Sequence, residues 1–152
     1  MYKRILVPVD GSPPSNKGLR EALKLAKEQH CVLMLLHVVD ELIITATPES
    51  VFDASEVIKA LREAGEEVLS ASAGIARDEG VKAESELVEC MGGRAADIIV
   101  DRAKKWKADL IVLGTHGRRG VRRLVMGSDA EEVVRLSPVP VLLVRAEPAK
   151  GR

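Results

Sequence analysis

The chain has 152 residues and no formal net charge, with 23 Lys and Arg against 23 Asp and Glu. This length predicts one domain with a full core, and the charge balance supplies no overall field to draw in nucleic acid or an anionic membrane. Aromatic residues are only 2%, so the core must come from Val, Ile, Leu and Ala, and a base-stacking platform for single strands is excluded.

The apolar run at 31–39, with His37 inside it, is far below the roughly 18 residues that span a bilayer. The first nine residues lack the apolar length and cleavage site of a signal peptide. A cytoplasmic protein without a membrane partner is expected.

In chain order, residues 2–9 read as a Val/Ile/Leu-rich strand that stops at the loop signal Asp10-Gly-Ser-Pro-Pro14. Residues 15–29 place Leu19, Ala22, Leu23 and Ala26 on one helical face. Residues 32–39 are almost wholly apolar, as in a strand covered on both faces. Residues 40–52, with Pro48, have no clear period and read as a loop. A long helix over 53–78 is predicted to turn Val57, Leu61, Ala64, Val68, Ser72 and Ile75 inward, with Gly80 as its C-terminal stop. Gly65 and Gly74 each weaken that helix by about 1 kcal/mol relative to Ala. A strand at 81–89 follows, then a helix at 94–106 with Ala95, Ile99, Ala103 and Trp106 inward. A central strand at 110–113, a short helix at 129–136 and a last strand at 139–145 complete the pattern. The alternation predicts a parallel α/β sheet. Cys31 and Cys90 should open the second strand and close the third. In parallel neighbours that is beyond the ~4.4–6.8 Å between Cα atoms of a disulfide, so both are expected as reduced thiols.

Past the fourth strand the chain reads Gly114-Thr-His-Gly117 and, nine residues on, Gly127-Ser128. Glycines here let backbone N–H groups approach a ligand that a Cβ would hold away. A Gly-Ser pair opening a helix adds unpaired N–H groups and the positive end of a dipole. Such a loop is an anion cradle, best suited to the phosphates of a nucleotide. Ser128-Asp-Ala-Glu131 also reads as a capping box, which explains a serine there without a ligand. Asp10 likewise reads as a loop carboxylate accepting local N–H bonds.

This G-x2-G-x9-G-S spacing, together with Arg4–Ser12 (RILVPVDGS), Leu36–Asp40, Gly92–Ile98 and Pro138–Val144, resembles the universal stress protein family, in its ATP-binding branch. The resemblance implies a single Rossmann-like domain over residues 1–146, an open five-stranded sheet of order 3-2-1-4-5 with helices on both faces, and a short flexible tail at 147–152. In that order strands one and four part at a crevice beyond their carboxyl ends, where ligands bind. The resemblance places Gly114, Gly117, Gly127 and Ser128 at the phosphates of ATP (or ADP or AMP), Pro8 and Asp10 against the adenine or ribose, and Val38 with its backbone at the adenine edge. It also implies a homodimer through the strand at 139–145, although Pro138 and Pro140 would blunt that edge.

Arg118, Arg119, Arg122 and Arg123 either neutralise the polyphosphate or form a solvated basic face. Three scattered His and two distant Cys have no metal-ligand spacing, so any Mg²⁺ is expected to arrive on the phosphates. Asp129 is unexpected in the first turn of a phosphate-binding helix. Pointing inward it would compete with the phosphate or share a metal with it; pointing outward it would cost nothing. A nucleotide-binding regulatory module with at most slow hydrolysis is the leading expectation. An adenylate-handling enzyme would need a Ser-Gly-Gly-x-Asp-Ser or His-x-Gly-His signature, and neither 9–12 nor 115–117 matches one. A dimeric scaffold that binds no nucleotide is the remaining alternative.

Overall fold

Strands and helices alternate along the chain: β1 (Arg4–Pro8), α1 (Pro13–Gln29), β2 (Val32–Asp40), α2 (Ala54–Asp78), β3 (Ala83–Cys90), α3 (Ala95–Trp106), β4 (Leu110–Gly114), α4 (Ser128–Leu136) and β5 (Val141–Val144). The computed structural model describes residues 1–40, 54–115 and 127–145. The strands are parallel, in the order β3-β2-β1-β4-β5. This is the α/β, Rossmann-like arrangement expected. The expected tail at 147–152 lies outside the described residues.

Each central strand buries both faces, so period-2 alternation splits it between two half-cores. On one face Ile5, Val7, Leu33, Leu35, Leu110 and Val112 meet Leu19 and Leu23 of α1 and Leu69 and Ala76 of α2. On the other, Leu6, Met34, Leu36, Ile111 and Leu113 meet Ile99 and Ala103 of α3 and Ala130 and Val133 of α4. The buried stripe of α2 is Gly65, Leu69, Ser72 and Ala76, with Ile75 44% exposed. Of the positions the sequence pattern turned inward, Ser72 is buried and Val68 packs against the core, whereas Ala64 and Ile75 are exposed and Gly65 and Ala76 beside them are buried instead.

Helix ends follow local chemistry. Ser12 is the N-cap of α1 and accepts from Ser15 N–H, and Pro13 and Pro14 fill the first turn, where missing N–H groups cost nothing. The helix therefore starts two residues earlier than the proline pair suggested. At the end of α2, Gly80 (φ +72°) donates to Arg77 O and Val81 N–H donates to Ala76 O. That pair of bonds is a Schellman stop, as expected for Gly80.

The amino ends of the strands are tied together. Asp109 accepts from the N–H groups of Lys3 and Arg4 at 2.8 and 3.1 Å. The Arg4 guanidinium lies 4.1 Å from the Trp106 ring centre, and Trp106 Nε1 donates to Glu84. Cys31 and Cys90 are both buried and free. Asp40 pairs with Cys90 in register, so the two thiols lie at opposite ends of the sheet, as expected.

Candidate functional site

Between β1 and β4 the sheet reverses its direction of winding, and in open α/β sheets such a point has a crevice beyond the carboxyl ends of the strands. On the β1 side the Asp10-Gly11-Ser12 turn is closed by its own side chains. Ser12 N–H donates to Asp10 Oδ1 at 2.8 Å and Asp10 N–H donates to Ser15 Oγ at 3.0 Å. Gly11 holds φ +80°, a conformation that favours glycine. The local role expected for the Asp10 carboxylate is thus real. It also closes α1 to anions: Pro13 and Pro14 have no N–H, and Ser15 and Asn16 donate to Ser12.

The start of α4 differs. Gly127, not Ser128, is the N-cap, so the capping-box reading of Ser128 is corrected. Ser128 is the first helical residue and is exposed, because Gly127 C=O already accepts the first intrahelical bond, from Glu131 N–H at 3.0 Å. The N–H groups of Ser128, Asp129 and Ala130 precede that bond and have no intrahelical acceptor. Gly127 N–H donates to Thr115 C=O at 2.7 Å, and Thr115 N–H donates to Val144 C=O at 3.0 Å. Thr115 thereby fastens α4 to the ends of β4 and β5. Among the described residues, its Oγ1 is a fully buried hydroxyl without a hydrogen-bond partner, in a side chain only 9% exposed.

The structure gives Gly114 a second reason to be glycine. A Cβ there would lie 2.5 Å from the Pro14 carbonyl oxygen, and a Cβ on Gly18 would lie 3.1 Å from the Gly114 nitrogen. The two glycines let the first turns of α1 cross directly over the end of β4. Gly114 itself is paired with Val144 in the β4–β5 ladder.

Val38 packs on the α3/α4 face, and by alternation along β1 and β4 Pro8 and Thr115 belong to the same face. Val32 N–H donates to Lys3 C=O just before β1, and Leu33 N–H to Lys82 C=O just before β3. Even-numbered residues of β2 therefore direct their backbone groups toward β1. The β1 pairing stops at Pro8 opposite Leu36, and the next carbonyl, Val9 C=O, accepts from His37 Nδ1 at 2.7 Å. The Val38 N–H and C=O are thus aimed past the end of β1, into the crevice. His37 was not anticipated as part of this arrangement. Its imidazole is buried beneath Gly65 of α2, where an added Cβ would come 2.5 Å from the ring.

Asp129 belongs to the crevice electrostatically. Partial burial first, then the carboxylates of Asp40 and Asp10, hold its carboxyl above the usual range. Asp40, the last residue of β2, shares the Val38 face by alternation, a signal that the strand pattern already carried. Among the described residues no cluster has a metal-ligand arrangement. Gly117 and Arg118, with Arg119, Arg122 and Arg123, lie outside the described residues. Pro8, Asp10, Val38, Gly114, Gly127, Ser128 and Asp129 are all described, and all lie at the carboxyl end of the sheet. A shallow, open cavity of about 560 Å³, lined by Ala73, Arg77, Gly80, Val81, Lys82 and Ala83, lies at the opposite end and shares none of them.

A parallel sheet of order 3-2-1-4-5 with helices on both faces defines an open, Rossmann-like α/β protein. The family model of the universal stress proteins matches residues 1–145, and the chain belongs to that family. Universal stress protein MJ0531 of Methanocaldococcus jannaschii is 38% identical over 146 residues, covering 95% of this chain and 83% of the relative. The solved structure of the protein MJ0577 superposes with a TM-score of 0.86 at 28% identity, covering 98% of this chain and 99% of that one. A universal stress protein from Archaeoglobus fulgidus in complex with dAMP superposes with a TM-score of 0.66 at 27% identity, covering 94% and 98%. Among the described residues, no helix is long and apolar enough to cross a membrane.

Proposed function

We propose that the crevice binds an adenine nucleotide (ATP, ADP or AMP) and that the protein is a regulatory module of the ATP-binding branch, with hydrolysis slow at most. One observation carries this reading: the outward-facing Val38 backbone, the Asp10 turn and the open N-terminus of α4 meet at the same sheet end, while α1 is closed to anions. Pro8, Asp10 and the Val38 backbone take the adenosine. Gly114, Gly117, Arg118, Gly127 and Ser128 take the phosphates, with Asp129 beside them. The buried Thr115 hydroxyl supports a polar occupant, because an unpaired group of this kind costs about 1–3 kcal/mol. Mg²⁺, when bound, adds charge neutralisation on the phosphate oxygens. The dAMP complex of the Archaeoglobus relative supports an adenine nucleotide as the ligand class.

Thermal unfolding with millimolar ATP and Mg²⁺ tests the reading. A ligand at ~100 times Kd stabilises by about 2.7 kcal/mol, a rise of roughly 5–10 °C at this size. The rise should be absent in Gly117→Val. No shift with ATP, ADP or AMP in the wild type contradicts nucleotide binding.

We also propose a homodimer through residues 139–145. Leu142 of the edge strand and Val134 and Leu136 of the neighbouring helix are 38%, 44% and 40% exposed. Exposed apolar side chains beside an unpaired edge are a pairing surface.

A further inference from the structure

We propose that Asp129 is a charge gate on the phosphate end of the crevice, opposing phosphate when ionised and taking up a proton when phosphate binds. This rests on the nucleotide reading above and assigns that site a regulator. The place is defined by two independent observations: the open first turn of the nine-residue helix α4, and the unpartnered, nine-tenths buried Thr115 hydroxyl at the residue that anchors Gly127. A phosphate accepting from the Ser128–Ala130 N–H groups meets the Asp129 side chain on the same turn.

The charges around Asp129 favour the gate. Asp10 from the β1 loop and Asp40 from β2 both disfavour its ionised form. On α3, which packs along α4, the Arg94 guanidinium is engaged by Asp97 and by Glu132 of α4. On α4 itself Glu132 also pairs with Arg135, and Glu131 adds a further negative charge to the first turn. The helix dipole stabilises one anion at this end, and phosphate and carboxylate compete for it. Like charges a few ångströms apart repel, more strongly where water is partly excluded, and a phosphate entering the crevice adds that repulsion. The outcome is affinity that rises as pH falls, more steeply for ATP than for AMP because ATP carries more charge.

Calorimetric titration of ATP and AMP into the wild type and Asp129→Asn tests this, at about pH 5 and pH 8 and in two buffers of different ionisation enthalpy. Phosphate titrates in this range as well, and does so for both proteins, so the difference between them reports Asp129. The gate predicts extra proton uptake by the wild type. It also predicts that Asp129→Asn binds ATP roughly tenfold tighter at the higher pH, by a smaller factor for AMP, and that the difference narrows at the lower pH. Equal affinities and equal proton uptake overturn the gate while leaving the nucleotide site intact. Weaker binding by Asp129→Asn also overturns it and makes the carboxylate a ligand contact. No binding to either protein at either pH overturns the gate and the nucleotide reading together.

Discussion

Gly114 separates two demands that converge on one residue. Its missing Cβ is required by the Pro14 carbonyl 2.5 Å from where that carbon would be. A backbone obstacle cannot rotate away, so Gly114→Ala should destabilise the protein by about 1–3 kcal/mol with no nucleotide present, measured as a lower urea midpoint at unchanged slope. The loop glycines pointed to the carboxyl end of the sheet, but packing on α1 leaves no trace in a motif, because Gly18 and Gly114 are 96 positions apart. Asp129 makes a second prediction at this scale. A carboxyl raised above its unfolded value contributes stability that is fully present below the unfolded pKa, about 3.9, and lost as pH rises through the folded one. Asp129→Asn should therefore unfold at a higher temperature than the wild type at neutral pH, with the difference vanishing near pH 4. Because the side chain is only partly buried and solvent reaches it, added salt should shrink it. An unchanged Tm difference across that range would remove Asp129 from the crevice field.

The helix α2 shows how one element reads two similar residues differently. Gly65 lies on the buried face over His37, while a Cβ on Gly74 would meet nothing closer than the mobile Arg77 guanidinium at 3.8 Å. Gly74→Ala should stabilise by roughly 0.5–1 kcal/mol through helix propensity. Gly65→Ala should destabilise by about 1–3 kcal/mol despite the same propensity gain, since the His37 ring would have to leave its bond to Val9 C=O. Urea midpoints of the two variants, moving in opposite directions, check the pair. Helical periodicity showed where α2 runs and that it is amphipathic. It placed Ser72 and Val68 correctly but took Ala64 and Ile75 in place of Gly65 and Ala76, because Gly65 and Ala76 carry weak hydrophobic signals although close packing puts them inside. The strands were more legible: β1, β2 and β4 are apolar on both faces, as central parallel strands must be. The Ser12 cap was hidden by the proline pair that follows it.

At the scale of the whole molecule, the sheet separates a structurally tied amino end from the carboxyl end proposed to bind nucleotide. Asp109, Arg4, Trp106 and the buried Cys31 lie at the amino end. Burial, then the charge of Asp109, push the Cys31 thiol up, and Sγ is 2.9 Å from the Tyr2 carbonyl. Cys31 should therefore react with maleimide at neutral pH only at the rate of unfolding, whether or not nucleotide is present. Light scattering at micromolar concentration should give the mass of two chains, and Leu142→Glu should give one chain with an unchanged circular dichroism spectrum. The class of fold was legible in the alternation of elements. The strand order came from the family resemblance, and the Val38 backbone direction and the Thr115 hydroxyl came only from the assembled sheet, because both depend on where β1 and β4 part.

The most direct measurement is an amide chemical-shift titration with ATP. The account predicts shifts confined to the carboxyl end of the sheet: Asp10, Val38, Thr115 and Gly127 through Ala130. Shifts instead at Ala73–Ala83, around the cavity at the other end, or no shifts at millimolar ATP, would contradict it.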